Sequence, residues 1–546
     1  MQETSIPINL WFWLLAVSPL LVMSFLLVKL RWTAQQAGAI GMLFAGTVAF
    51  FAFKTSAEVL AVAGAKGIWD SVSILLVIWP ALFLHHTMNQ SGGYEAMRQG
   101  VVKFSRNELF VIIALGWVFS SFLQGISGFG TPIVVVAPLL VAIGVKPIYA
   151  VAIPLIAHMW GKFFGTMAVG WLATLQVVTL DAPTIASTAL QTAILLMIQV
   201  VLGGFWIVWM YGRLPAIKHA WPLVLIIAAI HGFGQIIVVI FDPVLSAFIP
   251  ATAAMLALYP LSRWRRFAEP ITNIPNRPAM QADLVKDFVD RKTPMQLSMS
   301  FAPYILLTLL TLSGSLIGPL KSALGQFKFG MSFPAVESGY GIINSAVDTY
   351  SAIAPMSNPG FFILVTALIT VLVYRSRGYY KAWAIESSQP SPGLTKSLIS
   401  SAIPASVPII AFLVMARLMD HSGQNQVLAY GIAAVAPTYA FAFLSNGIGV
   451  IGAFATSSST SSNVLLSDLQ LTIAKLKGLP EATILAAQSA GGAIGNAIAP
   501  ANLVLGASTT GISGKEGDIM RKTLSWTLVA FVLTGVATLV LLMLNL

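Results

Sequence analysis

Apolar runs of membrane-spanning length recur along almost the whole chain, and no other feature of the sequence restricts its fold as strongly. They lie near residues 9–30, 36–53, 68–88, 108–122, 133–145, 148–173, 186–210, 222–240 and 243–262, then 302–320, 358–374, 401–419, 428–445, 447–472, 484–512 and 524–545. A helix needs ~20 apolar residues to cross the hydrocarbon core of a bilayer. Several runs are too short or too interrupted to cross alone. The pattern therefore predicts an all-α polytopic membrane protein of about 12–14 transmembrane helices plus broken or re-entrant pieces. Composition agrees: only 9% of the 546 residues are charged, against roughly 25% in soluble domains. Mean hydropathy is +0.84. Such a chain cannot cover its own surface with polar groups, so lipid is the solvent around most of it.

The net charge is +11. The basic residues sit in short turns between apolar runs, which suits the positive-inside rule and not a nucleic-acid-binding face. Lys29/Arg31, Arg98/Lys103/Arg106, Arg213/Lys218, Arg263/Arg265/Arg266 and Arg375/Arg377/Lys381 mark the cytoplasmic side. The first basic residues follow the first apolar run, so no cleaved leader is expected and the N-terminus is placed outside. Lys54 and Lys66 do not fit this scheme. Residues 1–262 read as an N-terminal membrane half and 301–546 as a C-terminal one. The charged, Pro-rich stretch 263–300 reads as a cytoplasmic linker between them, and 321–357 as an external loop. The absence of cysteine excludes disulfides, thiolate metal sites and a Cys nucleophile.

The two halves echo each other. In the first, Gln124-Gly125-Ile126-Ser127-Gly128-Phe129-Gly130-Thr131-Pro132 interrupts an apolar region, and His158-Met159-Trp160-Gly161-Lys162-Phe163-Phe164-Gly165 follows about 30 residues later. In the second, the run Thr456 to Asn463 (Thr-Ser-Ser-Ser-Thr-Ser-Ser-Asn) is followed at similar distance by Gln488-Ser489-Ala490-Gly491-Gly492-Ala493-Ile494-Gly495-Asn496. An unpaired backbone amide in hydrocarbon costs several kcal/mol, so such breaks persist only where protein buries them or water reaches them. Matched breaks in two halves point to a solute site near the bilayer midplane, where helix N-termini offer amides and a positive dipole end to an anion. A lone Gly-x-x-x-Gly is otherwise a helix-packing device, and a lone Ser/Thr run is otherwise interhelical hydrogen bonding.

These segments supply the candidate anion-binding residues: Gln124, Gly128, Gly130, Thr131, His158, Lys162, Ser459, Thr460, Ser461, Ser462, Asn463, Gln488 and Asn496. A cation deep in an apolar segment is expensive unless paired or hydrated. Lys162 therefore reads as the carboxylate anchor, or else as a snorkelling or permanently paired lysine. His158, one helical turn earlier, reads as its neighbour on the same face and a proton relay, or as a packing residue. Asp468 could pair with Lys162, bind a cation or end a helix near water. His158 and Asp468 are the coupling candidates. Arg417 with Asp420 reads as an interfacial ion pair, His85 and His86 as interfacial, and Trp11, Trp13 and Trp171 as an aromatic belt.

At Phe122-Leu123-Gln124-Gly125, Gly128 to Pro132, Thr460-Ser461-Ser462-Asn463, Gly491-Gly492 through Pro500, and the tail Gly511 to Glu516, the sequence resembles the lactate permease family, glycolate permeases included. The resemblance spans most of the chain and is strongest over 446–525. It implies uptake of a short 2-hydroxy monocarboxylate such as lactate or glycolate by proton symport in a bacterial inner membrane. It also implies two inverted repeats with hairpin tips. The chain departs from the family where Gln124 stands for a Glu and Ser459 for an Asp. His158, Lys162 and Asp468 stand where uncharged residues prevail.

Other classes lack their signatures. There is no Gly-x-x-x-x-Gly-Lys-Ser/Thr loop for ATP, no His-Glu-x-x-His and no triad, so no catalytic residue, cofactor or metal is assigned and an enzyme is not expected. A channel needs a charge ring or carbonyl filter, whereas two unlike halves suit alternating access. The partners expected are the organic anion, a proton or sodium as coupling ion, and lipid, but no nucleic acid; a homodimer is left open.

Overall fold

A computed structural model describes residues 6–30, 32–103, 105–126, 128, 130–271, 274–281, 293–387 and 393–544. Ser127 and Phe129 of the first break, and 282–292 of the expected linker, lie outside the described residues.

Polar side chains start many of the helices by accepting from first-turn amides. Asn9 caps α1 (Leu10–Val28), Thr33 and Gln36 form a capping box on α2 (Ala34–Phe51), and Ser56 caps α3 (Ala57–Gln90). After the short α4 (Gly93–Val102), Asn107 caps α5 (Glu108–Ile112). That helix continues through a π-helical turn (Ile113–Phe119) into α6 (Ser120–Ile126), which ends at the first break. Then come α7 (Thr131–Ala142), α8 (Pro147–Ala157) and α9 (Gly165–Val177).

Asp181 caps α10 (Ala182–Phe241), 60 residues long, or about 90 Å at 1.5 Å per residue. Such a length cannot cross a ~30 Å core once. The helix doubles back at Gly212 and Arg213, the latter at φ 58°, so α10 supplies two spans. The segments α11 (Phe248–Ser262), α12 (Arg265–Ala268), α13 (Leu297–Leu316) and α14 (Gly318–Gly325) follow. The stretch expected as an external loop carries two small antiparallel ribbons. β1 (Phe329–Phe333) pairs with β4 (Val347–Ile353), and β2 (Val336–Glu337) with β3 (Ile343–Asn344). The expected linker is partly packed: Arg277 pairs with Glu108 at 3.0 Å, and Lys146 N donates to Ala279 O at 2.8 Å.

The remainder runs α15 (Pro359–Ser376), α16 (Tyr379–Ser387), α17 (Leu394–Ser422), α18 (Gln424–Val435), α19 (Thr438–Thr456), α20 (Ser459–Lys477), α21 (Glu481–Gly495), α22 (Pro500–Thr509) and α23 (Glu516–Met543). Among the described residues, eleven helices are long and apolar enough to cross a membrane. With α10 turning back and the short α7 and α8, this agrees with the all-helical polytopic fold read from the sequence.

Two arrangements position the site. First, α3 and α17 lie against each other with no side chain between them at Gly67, where a Cβ would fall 2.5 Å from Val414 Cα. Both carry internal prolines, Pro80 in one and Pro404 and Pro408 in the other. Second, the order helix, break, helix, then helix, break, helix occurs twice. It runs α6|α7 and α8|α9 in the first half, and α19|α20 and α21|α22 in the second.

Candidate functional site

All four breaks meet at one cavity of about 380 Å³. The first break lines it with Gln124, Gly130 and Thr131, the second with Lys162, Gly165 and Thr166, the third with Ser457 to Thr460, and the fourth with Asn496 and Asn502. The pair α3 and α17 completes the wall with Leu82, His85, Ser401, Pro404 and Ala405.

Within each half the breaks lean on each other. A Cβ at Gly128 would fall 2.0 Å from Thr166 Oγ1, and one at Gly165 2.6 Å from the Gln124 carbonyl oxygen. Gly128 also sits at φ 54°, where glycine avoids the strain of a side chain. In the other half the Ala501 amide donates to Ser457 Oγ at 3.2 Å. The halves meet where a Cβ at Gly130 would fall 2.6 Å from Leu505 Cδ2.

The second break is the most distorted. Thr166, Met167 and Ala168 lie at φ 51°, 54° and 63°. A left-handed turn costs L-residues roughly 1–2 kcal/mol each, so the surroundings must enforce it. Phe163, Phe164 and Trp171 pack together there, and Trp160 donates to Ser121 Oγ at 3.1 Å. Trp171 is 4% exposed. It is part of this plug and not of an interfacial belt, as is Phe164 beside it. Trp11, 66% exposed, does face outward.

Lys162 is half-buried, faces the cavity and has no acidic partner among the described residues. No carboxylate lines the cavity among the described residues. Three helix N-termini reach its wall: α7 at Gly130 and Thr131, α20 at Ser459 and Thr460, and α22 near Asn502. No side chain caps α7. One cation, three positive dipole ends and a set of hydroxyl and amide groups make this an anion-accepting cavity.

Not every candidate reaches it. Gln124, Gly130, Thr131, Lys162, Ser459, Thr460 and Asn496 line the wall, and Gly128 packs just behind it. Ser461, Ser462, Asn463 and Gln488 do not. Gln488 Nε2 reaches Ser462 Oγ at 3.2 Å and Asn463 Oδ1 at 3.4 Å, and Gln470 Nε2 donates to Gln488 Oε1 at 2.5 Å. These residues bind α20 to α21. The nearby Gly-x-x-x-Gly serves packing: a Cβ at Gly491 would fall 1.9 Å from Asn446 O.

His158 does not share a helical face with Lys162, because residues 158–164 are turns between α8 and α9. It is fully buried, its Nδ1 contacts Pro154 O at 2.5 Å, and its Nε2 has no partner. Asp468 does not pair with Lys162; Asn425 Nδ2 donates to it at 2.9 Å. Arg417 is not an interfacial residue paired chiefly with Asp420. It meets the buried Asp70 at 2.8 Å, and Asp420 only at 4.0 Å. His85 and His86 both make contacts within the protein. His85 lines the cavity, 3.0 Å from Tyr94 Oη and 3.5 Å from Thr131 Oγ1, and His86 contacts Ser401 Oγ at 3.0 Å. Sequence reasoning missed His85, Thr166, Ser401 and Asn502. Ser457 and Ser458 were within the Ser/Thr run but not singled out.

Helices enough to cross a bilayer many times, broken around a polar anion-accepting cavity, define a multi-pass membrane transport protein. The family model described as L-lactate permease matches residues 13–545, and the chain belongs to that family. Glycolate permease GlcA of Escherichia coli is 26% identical, the match covering 96% of this chain and 95% of that one. L-lactate permeases of Escherichia coli and Halalkalibacterium halodurans are each 27% identical, covering 97% and 96% of this chain and 96% of each relative. These relatives are permeases and not enzymes. The solved Alcanivorax borkumensis YdaH transporter aligns over 87% of this chain and 86% of its own, at 14% identity and a TM-score of 0.40, too slight a likeness to argue from.

Proposed function

We propose that the chain is a symporter for a short 2-hydroxy monocarboxylate such as lactate or glycolate in a bacterial inner membrane. Its substrate binds between the four breaks, near the midplane. The observation that carries this reading is Lys162, an unpaired cation facing a cavity without carboxylates. A carboxylate there would complete the lysine and meet the positive end of the α7 dipole. Ser459, Thr460 and Asn496 are suited to the 2-hydroxyl, since each can donate and accept. The relatives named for lactate and glycolate support the substrate class. The recurring order of broken helices supports two repeats.

For coupling we favour a proton carried by His158 over one carried by Asp468. Its Nδ1 faces a carbonyl and so bears the hydrogen, which leaves the buried Nε2 lone pair free. Asp468 is already engaged by Asn425.

Purified protein heated with lactate, glycolate, acetate or a short sulfonate tests the substrate, because a bound ligand stabilises the native state by mass action. The 2-hydroxy acids should raise the melting temperature most; a larger shift from a sulfonate would overturn the assignment. In proteoliposomes, acidifying the outside should drive uptake, and His158→Gln should lose that drive while keeping exchange of labelled for unlabelled substrate. Uptake that follows a sodium gradient and ignores pH would rule out the proton.

A further inference from the structure

A second polar concavity, of about 220 Å³, lies between Tyr149 on α8, Trp206, Trp209 and Arg213 on α10, and Arg521 and Lys522 on α23. Three cations from two distant stretches converge on it. No acidic side chain lines it among the described residues, and Asp518 meets Arg521 at 3.6 Å from one turn back. Aromatic rings hold two of the cations in place. Arg213 Cζ lies 5.0 Å from the centre of the Trp209 ring, and Lys522 Nζ lies 5.1 Å from that of Tyr149.

Arg213 is also the residue on which α10 turns back, at φ 58° and ψ −147°. Side-chain-bearing residues avoid that region, and backbone held there tends to mark a place where side-chain position is used. Positive-inside topology asks for basic residues near this boundary. It does not ask for convergence on one hollow, for rings beneath the charges, or for strain at one of them.

The neighbouring surface is apolar. Leu214 is 53% exposed, Leu524 37% and Leu528 55%. A ligand seated on the three cations would thus have hydrocarbon-compatible surface beside it, which inorganic phosphate cannot use and acyl chains can.

We propose that this concavity binds the phosphodiester headgroup of an anionic membrane phospholipid. Arg213, Arg521 and Lys522 are the donors, and Trp206 and Trp209 flank the glycerol level. Because α23 also packs against the 496–498 turn of the cavity wall, the lipid would brace the helix that supports the fourth break. This inference stands apart from the identity of the transported solute.

The test uses the full-length protein in detergent, heated with phosphatidylglycerol, phosphatidylcholine or inorganic phosphate, and native mass spectrometry to count retained lipid. Phosphatidylglycerol should stabilise and be retained, while phosphatidylcholine and phosphate should do little. Retention should weaken about fivefold for each cation removed, in Arg521→Gln, Lys522→Gln and their combination. Arg213→Gly relieves the backbone and should fold, yet retain less lipid. The double variant Arg375→Gln with Arg377→Gln removes as much charge elsewhere and should behave as wild type. Equal loss in that control would overturn the site, as would undiminished retention in the pocket variants; stabilisation by phosphate alone would overturn the lipid.

Discussion

The cavity at the breaks and the ionic cluster near the β1–β4 ribbon both place charge inside the membrane bundle, and they handle it in opposite ways. In the cluster every charge has company. Arg417 meets Asp70 at 2.8 Å and donates to the Gln176 carbonyl, Tyr350 Oη donates to Asp70 at 3.0 Å, and Lys66 Nζ donates to His421 Nε2 at 3.2 Å. Tyr350 comes from β4 and its ring also lies under Lys66 and Arg417, at 5.3 and 5.6 Å. In the cavity, Lys162 has hydroxyls, amides and helix ends around it but no counter-charge among the described residues. Charges satisfied inside the protein hold α3, α17 and the ribbon together. A charge left unsatisfied beside an open volume is free to recognise something that comes and goes.

The sharpest way to break this contrast is Arg417→Leu, which strands the buried Asp70 carboxylate. Removing one partner of a buried pair costs roughly 3–5 kcal/mol, so thermal unfolding in detergent should fall steeply, and adding Asp70→Asn should recover part of the loss. Equal stability of Arg417→Leu and wild type would mean that the cluster holds nothing. Lys162→Met should do the reverse. Substrate affinity should drop by about 2–5 kcal/mol, while the melting temperature without substrate stays level or rises. A calorimetric titration showing wild-type affinity would remove Lys162 from the site. Gly128→Ala puts a Cβ against Thr166 at positive φ, and should cost roughly 1–3 kcal/mol of stability, together with part of the uptake rate. The smallest effect is expected for Ser459→Ala, about 0.5–1.5 kcal/mol in substrate affinity, with stability unchanged; an equal loss for acetate would show that Ser459 does not read the 2-hydroxyl.

What the sequence disclosed follows from what stands out against an apolar background. The spans, the Gly-rich and Ser-rich interruptions and Lys162 were all legible, because polar or flexible residues inside apolar runs need a reason. His85 was not, since a histidine near the end of an apolar run looks like an interfacial one until Thr131 is seen beside it. The Asp70–Arg417 pair was hidden because its members are 347 positions apart, and Asp420, three residues from Arg417, offered a nearer partner. The left-handed turn at Thr166 to Ala168 left no trace at all, for none of the three is glycine. Ser462 and Gln488 share the chemistry of true wall residues, and only packing separates them from Ser459 and Asn496.

The contacts of Gly128 with Thr166, and of Ser457 with Ala501, bear on how such a molecule can open. Peeling one hairpin end away by itself would strip these neighbours of each other and leave bare backbone at the depth of the acyl chains. Shifting each end in step with the elbow beside it keeps both contacts whole. Any movement at the cavity that keeps both contacts whole therefore carries the two breaks of a half together.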